Sequence, residues 1–222
     1  MNRGSLLFLG AFGILAFSWT ALVLTNQIAY AKLVPHFDEN EAAVFPADRA
    51  GVAARGHAVY QDLGCAVCHT QQVRRPGFGA DQARGWGERQ SVARDYLREE
   101  TVLTGSMRIG PDLRNVGARR EDPAWYFRHL YDPTLVVEGS LMPRYPFLFE
   151  ERPIVGQPSP EALDLPAPHT AKAGYEIVPT ERARSLVSYL ISLKDTYAFP
   201  ETNNVYKPAE SPEGEAGGEG AH

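Results

Sequence analysis

Cysteine is scarce in this chain of 222 residues: there are two, both within Cys65-Ala66-Val67-Cys68-His69. No second pair stands at knuckle spacing, and His36, His57, His129, His169 and His222 are scattered singly, so nothing completes a four-ligand zinc site. Charge is absent from residues 4–31, where 6–24 are almost wholly apolar. Lysine is absent from residues 70–129, where eleven arginines stand instead. The formal net charge of −5 sits mostly in residues 200–222, which carry five glutamates against Lys207, so the rest is nearly neutral. That balance excludes a nucleic-acid binder, which needs a basic domain with a concentrated patch. Serine, histidine and acids occur without a recognisable nucleophile context, which excludes a hydrolytic or group-transfer site.

What is present begins with the two cysteines. C-x-x-C-H is the attachment signature of a c-type haem, each thiol forming a thioether to one vinyl group and the histidine lying under the iron. Cys65, Cys68 and His69 are therefore the candidate haem-binding residues, with His69 the proximal ligand. A thioredoxin-like redox pair would sit in a βαβ context, whereas the residues before Cys65 carry a helical period. A proximal histidine needs a fixed acceptor for its second ring N–H. The turn Gly110-Pro111-Asp112-Leu113 offers the rigid carbonyl of Pro111. Arg75, in Arg74-Arg75-Pro76, is the candidate partner of a haem propionate, because a guanidinium suits bidentate carboxylate pairing; the other arginines read as surface charge. For the sixth ligand the soft donor is Met142, in Gly139-Ser140-Leu141-Met142-Pro143, where proline braces the loop. Met107 and, for a bis-histidine site, His129 are the alternatives.

The fold reads as mainly α. Residues 1–32 form a transmembrane anchor, since about 20 apolar residues cross the hydrocarbon core. A cleaved signal peptide ending at Ala29-Tyr30-Ala31 is the competing reading, but the apolar run exceeds a signal's ~7–15 residues. Residues 33–47 read as a tether. In 48–199, Val52, Gly56, Val59, Tyr60 and Leu63 make one stripe of a helix over about 48–63, with Asp48 as N-cap and Gly64 as stop. Gly56 in mid-stripe points to another backbone crossing closely there. Residues 91–103 can form a short helix, and Asp122-Pro123 opens another as N-cap and N1. Residues 133–179 hold nine of seventeen prolines and no helical period, as an extended wrap or a mobile insertion. Thr180 caps a last helix whose stripe Ala183, Leu186, Val187, Leu190 and Leu193 packs across the first near Gly56. The acidic, Gly-rich residues 200–222 cannot bury apolar surface and read as a disordered tail.

These residues together resemble the membrane-anchored mono-haem subunit (subunit II, FixO/CcoO) of cbb3-type cytochrome c oxidases. The resemblance rests on residues 64–69 followed by Arg75-Pro76, on Gly105-Ser106 leading to 110–113, and on His129-Leu130 before Asp132-Pro133. Most specific is the run Met142-Pro143-Arg144-Tyr145-Pro146-Phe147-Leu148-Phe149. It implies a class I-like cytochrome c domain with long irregular loops, one covalently bound haem c, and His69 and Met142 as axial ligands. It further implies a non-catalytic electron-transfer role. Single electrons would pass to the haem-copper catalytic subunit, alongside other cytochrome c subunits, in the bacterial inner membrane. The N-terminus would be cytoplasmic and the haem domain periplasmic. The doubled arginine at 74–75 and a longer segment between Phe149 and Thr180 depart from the pattern. An anchored subunit of a nitric oxide reductase, a stand-alone tethered electron shuttle, a haem-based sensor and a thiol–disulfide module are the competing functions.

Overall fold

The computed structural model describes residues 3–49 and 51–204. The expected tail therefore lies, from residue 205 on, outside the described residues. The chain separates into two compact units, one comprising the residues to Ala47 with Val92–Glu99, the other Asp48–Ser91 with the residues from Glu100 on.

In the first unit, helix α1 covers Gly4–Ala31 and is 28 residues long. At ~1.5 Å per residue it spans about 40 Å, more than the ~30 Å of a hydrocarbon core. Its apolar side chains are exposed throughout, and none is buried among the described residues. One π-helical stretch, Thr20–Leu24, interrupts the α-helix, and the hydroxyl of Thr25 just beyond it donates to the Ala21 carbonyl. The tether expected at 33–47 contains a small hairpin, β1 (His36–Asp38) with β2 (Ala43–Phe45), His36 facing Phe45 in register. Residues 91–103 do not make a helix. They hold a single 3₁₀ turn, Ala93–Tyr96, started by the Asp95 carboxylate accepting from the Val92 N–H at 2.8 Å, beyond which the acids Glu99 and Glu100 break the apolar stripe.

The second unit is built on a helix crossing. Helix α2 is Gly51–Asp62, starting three residues later than its stripe suggests, and Asp48 and Arg49 lie outside it. Gly64 ends it in the left-handed conformation, φ 69°, as a C′ glycine should. Helix α3 is the short Val116–Arg119. Helix α4, Pro123–Tyr131, starts on Asp122, whose side chain accepts from the Ala124 N–H at 2.9 Å. Helix α5, Glu181–Ser192, starts on Thr180, whose hydroxyl accepts from the Ala183 N–H at 3.4 Å. All five residues of its stripe are buried, each large one worth ~1.5–3 kcal/mol. A Cβ at Gly56 would stand 1.9 Å from the Ser185 carbonyl oxygen and 2.6 Å from the Tyr189 Cβ. The glycine is thus what lets α2 and α5 touch backbone to backbone. The proline-rich residues 133–179 also contain a hairpin missing from the sequence reading: β3 (Phe149–Pro153) and β4 (Tyr175–Pro179) pair antiparallel, Phe149 against Pro179. At the far end, Pro200–Asn204 forms a 3₁₀ turn, secured by the Thr202 hydroxyl donating to the Phe199 carbonyl at 2.7 Å.

Candidate functional site

Directly after the Gly64 stop, Cys65–Val67 makes one 3₁₀ turn. The N–H groups of Cys68 and His69 both return to the Cys65 carbonyl, at 3.2 and 3.0 Å. The turn places both cysteines and the histidine on one short arc. Both thiols are free and half-buried. Burial, helped by the nearby Cys68, pushes the Cys65 thiol up to about 11. A redox-active thiol pair needs the opposite shift.

The arc is tied to the Gly-Pro-Asp turn by three backbone bonds: Ser106 N–H to Ala66 O (3.0 Å), Gly110 N–H to Cys68 O (3.0 Å) and Leu113 N–H to Thr70 O (2.8 Å). His69 Nδ1 lies 2.8 Å from the Pro111 carbonyl oxygen. A carbonyl only accepts, so Nδ1 carries the proton and Nε2 carries the lone pair. Burial lowers the imidazole's pKa, against the opposing pull of the Pro111 carbonyl and Asp112, so the ring is neutral, the form that binds a metal. A Cβ at Gly110 would stand 2.2 Å from His69 Cε1, so only glycine leaves the ring room.

Asp112 was legible in the sequence only as a turn residue. Fully buried, its carboxylate accepts from the Thr70 hydroxyl (2.6 Å), the Gln72 N–H (2.8 Å) and the Arg114 N–H (2.9 Å). It thereby locks the residues after His69 to the turn that holds the ring. Arg74 is committed to the buried Asp81 at 2.9 Å, which Arg108 also reaches at 2.5 Å. Arg75 is exposed, its guanidinium 4.0 Å above the Phe78 ring. Of the methionines, Met107 is about half exposed, whereas Met142 is partly buried and packs against the same core as Cys65, Ala66, Leu113 and Tyr145. Tyr145, three residues on, has its pKa raised by burial and by the charges that Cys65 and Cys68 would carry, so the methionine loop returns to the cysteine arc. His129 stacks on Trp125 with ring centroids 4.7 Å apart. Burial, and secondarily the nearby His69, push its pKa down to about 4, and its buried Nδ1 has no hydrogen-bond partner among the described residues.

These residues fit a haem. The neutral ring with its Nε2 lone pair, two unpaired thiols on one arc, apolar neighbours and a thioether on a returning loop match the donor set of a low-spin haem. An orphaned buried nitrogen within electrostatic reach of His69 is the kind of vacancy a polar ligand edge completes. Sequence reasoning missed Gly110, Asp112 and the buried Asp132, which reaches Arg144 at 3.0 Å and His169 at 3.2 Å. The adjacency of Gly110-Pro111-Asp112 was the available signal for the first two; for the third it was the dipeptide Asp132-Pro133, the same pattern as the cap at Asp122-Pro123.

Fold and site together define a mainly helical domain with a buried, neutral histidine beside two free thiols, in a chain that also carries an apolar helix of membrane-spanning length. The family model for the cytochrome c oxidase mono-heme subunit, FixO, matches residues 15–164, and the chain belongs to that family. It is accordingly a one-haem oxidase subunit that is anchored at a membrane and associates with other oxidase subunits. No curated protein matches the chain.

Proposed function

We propose that this chain is the electron-transfer c-type cytochrome subunit of a cbb3-type oxidase, relaying single electrons to a haem-copper catalytic subunit that reduces oxygen. The observation that carries the reading is the hydrogen bond from His69 Nδ1 to Pro111, which fixes the tautomer and aim of the imidazole. In it, Cys65 and Cys68 hold the porphyrin by thioethers, and His69 Nε2 and Met142 Sδ are the axial ligands. The bound haem supplies the one-electron couple. The protein's part is to hold two ligands that need not move when the charge changes, and to keep water from the metal. The Pro111 carbonyl strengthens the donor power of His69, and a thioether opposite it raises the potential. Arg75 is the guanidinium available to a propionate; leaving the Phe78 ring costs it about 0.5–1 kcal/mol. The domain is of the class I-like cytochrome c type, with α1 retained as the anchor, the N-terminus cytoplasmic and the haem domain periplasmic.

The test is a reduced-minus-oxidised spectrum of the detergent-extracted membrane complex, with haem staining of denaturing gels and identification of co-purifying chains. Covalent haem on this chain, a six-coordinate reduced spectrum insensitive to carbon monoxide, and a copper-containing partner are expected. Haem lost on denaturation would overturn the c-type assignment. A reduced form that binds carbon monoxide at this haem would favour a sensor, and a partner without copper would favour a nitric oxide reductase.

A further inference from the structure

Asp132 stands at the end of α4 and is almost fully buried, its side chain only 1% exposed. Its two oxygens face different parts of the chain. Oδ1 accepts from the Thr134 N–H at 3.0 Å and the Thr134 hydroxyl at 2.6 Å, capping the 3₁₀ turn Pro133–Leu135. Oδ2 accepts no hydrogen bond among the described residues; it lies at ion-pair distance from Arg144 Nε, 3.0 Å, with His169 Nε2 at 3.2 Å. The Thr134 hydrogen bonds, more than the neighbouring Arg144, hold the carboxyl below the usual carboxylate range.

The residues between those two contacts are the loop that carries Met142. The loop leaves α4 through the turn capped by one oxygen of Asp132. It returns at Arg144, gripped by the other oxygen, and the next residue is fixed to α4 by the Tyr145 N–H donating to the Leu130 carbonyl at 2.9 Å. Inside it, the Met142 N–H donates to the Ser140 hydroxyl at 3.3 Å, and Pro143 stiffens the exit. One buried carboxylate thus stands at both ends of the loop. His169, from the segment between β3 and β4, faces the same oxygen and packs edge-on against Tyr131 with centroids 5.8 Å apart.

We infer that Asp132 is a positioning residue for the axial sulfur: by gripping Arg144 while capping the turn at Pro133, it holds Met142 at the iron. The inference rests on the reading of Met142 as the sixth ligand given above. Ligation needs the sulfur held within a few tenths of an ångström, and a loop pinned only at its backbone would let the methionine swing. His169 gives the buried carboxylate a second neighbour from outside the loop.

The test uses the full chain with its haem, in detergent, and compares Arg144→Gln, Arg144→Lys, Asp132→Asn and Met142→Ala. Arg144 is 58% exposed, so its variants fold even if loss of the buried charge at Asp132 does not permit folding. For each, the sulfur-to-iron charge-transfer band of the oxidised form, the reduction potential and carbon monoxide binding by the reduced form are measured, with circular dichroism as a check on the helices. Arg144→Gln is expected to weaken the band, lower the potential and admit carbon monoxide while the helical spectrum is retained, and Arg144→Lys to restore part of each. If Met142→Ala loses the band and admits carbon monoxide but Arg144→Gln and every folded Asp132→Asn sample match the parent, the clasp is wrong and the ligand stands. If Met142→Ala itself keeps the band, the ligand assignment falls and the clasp falls with it.

Discussion

The Nδ1 of His69 and the carbonyl oxygen of Pro111 stand 2.8 Å apart, although 42 residues separate them in the chain. The contact exists because Asp112 gathers Thr70, Gln72 and Arg114 around one carboxylate, and because Gly110 leaves the imidazole its space. His69 is therefore held by a turn whose residue types are each constrained: no side chain at 110, a fixed φ at 111, an acceptor at 112.

Gly110→Ala follows from that. Its Cβ would stand 2.2 Å from His69 Cε1, so the ring must shift and its bond to Pro111 must lengthen. Overpacking of this kind costs about 1–3 kcal/mol. The expected outcome is less haem retained per chain and a displaced potential, read from the pyridine haemochrome and a redox titration. A parent-like value of both would show that the ring is held by other contacts.

The two thiols give a second prediction. Cys65→Ser or Cys68→Ser leaves one sulfur on the arc, and either change is expected to strip much of the haem from the chain on a denaturing gel. Full retention in the double variant would remove the thioether assignment.

Gly56→Ala tests the helix crossing apart from the haem. A Cβ there meets the backbone of Ser185 at 1.9 Å, and neither backbone can rotate away. α2 and α5 must separate, at a cost of about 3 kcal/mol or more. Thermal unfolding should show a lower midpoint, and an unchanged midpoint would mean that the helices are not in contact there.

Acid should act through Asp81. Burial by itself would raise its pKa, but the hydrogen bonds from the Arg74 and Arg108 side chains and from the Arg74 N–H outweigh it and hold the carboxyl down to about 2. In the unfolded chain the same carboxyl titrates near ~3.9. The folded form is the weaker proton binder, so this stabilisation is complete above about pH 4 and disappears as the pH falls to about 2, a loss on the order of 2 kcal/mol. Denaturant titrations across that range should show the slope in the parent and a shallower one in Asp81→Asn.

Much of the scaffold could be read from local pattern. The Asp122 and Thr180 caps, the Gly64 stop and the stripe of α5 are decided within a few residues of chain, by backbone donors that need an acceptor and apolar groups that need one face. Even the crossing at Gly56 was legible, because a glycine interrupting an apolar stripe has few other uses. The hairpin of β3 and β4 was not, since their pairing joins residues 149 and 179 across a proline-rich stretch with no alternation to betray it. The expected helix over 91–103 shrank to one turn because Glu99 and Glu100 leave no apolar stripe to carry a second.

By itself, then, the sequence determined what is set by spacing: two sulfurs and an imidazole on one arc, an apolar run of membrane-spanning length, and helices with fixed ends. Tertiary structure alone decided which backbone groups the Asp112 carboxylate gathers, which carboxylate stands at both ends of the methionine loop, and which arginines are already committed. Those choices depend on side chains far apart in the chain finding one another in a buried space, where an unpartnered charge is too costly to leave, and no periodicity along the chain records them.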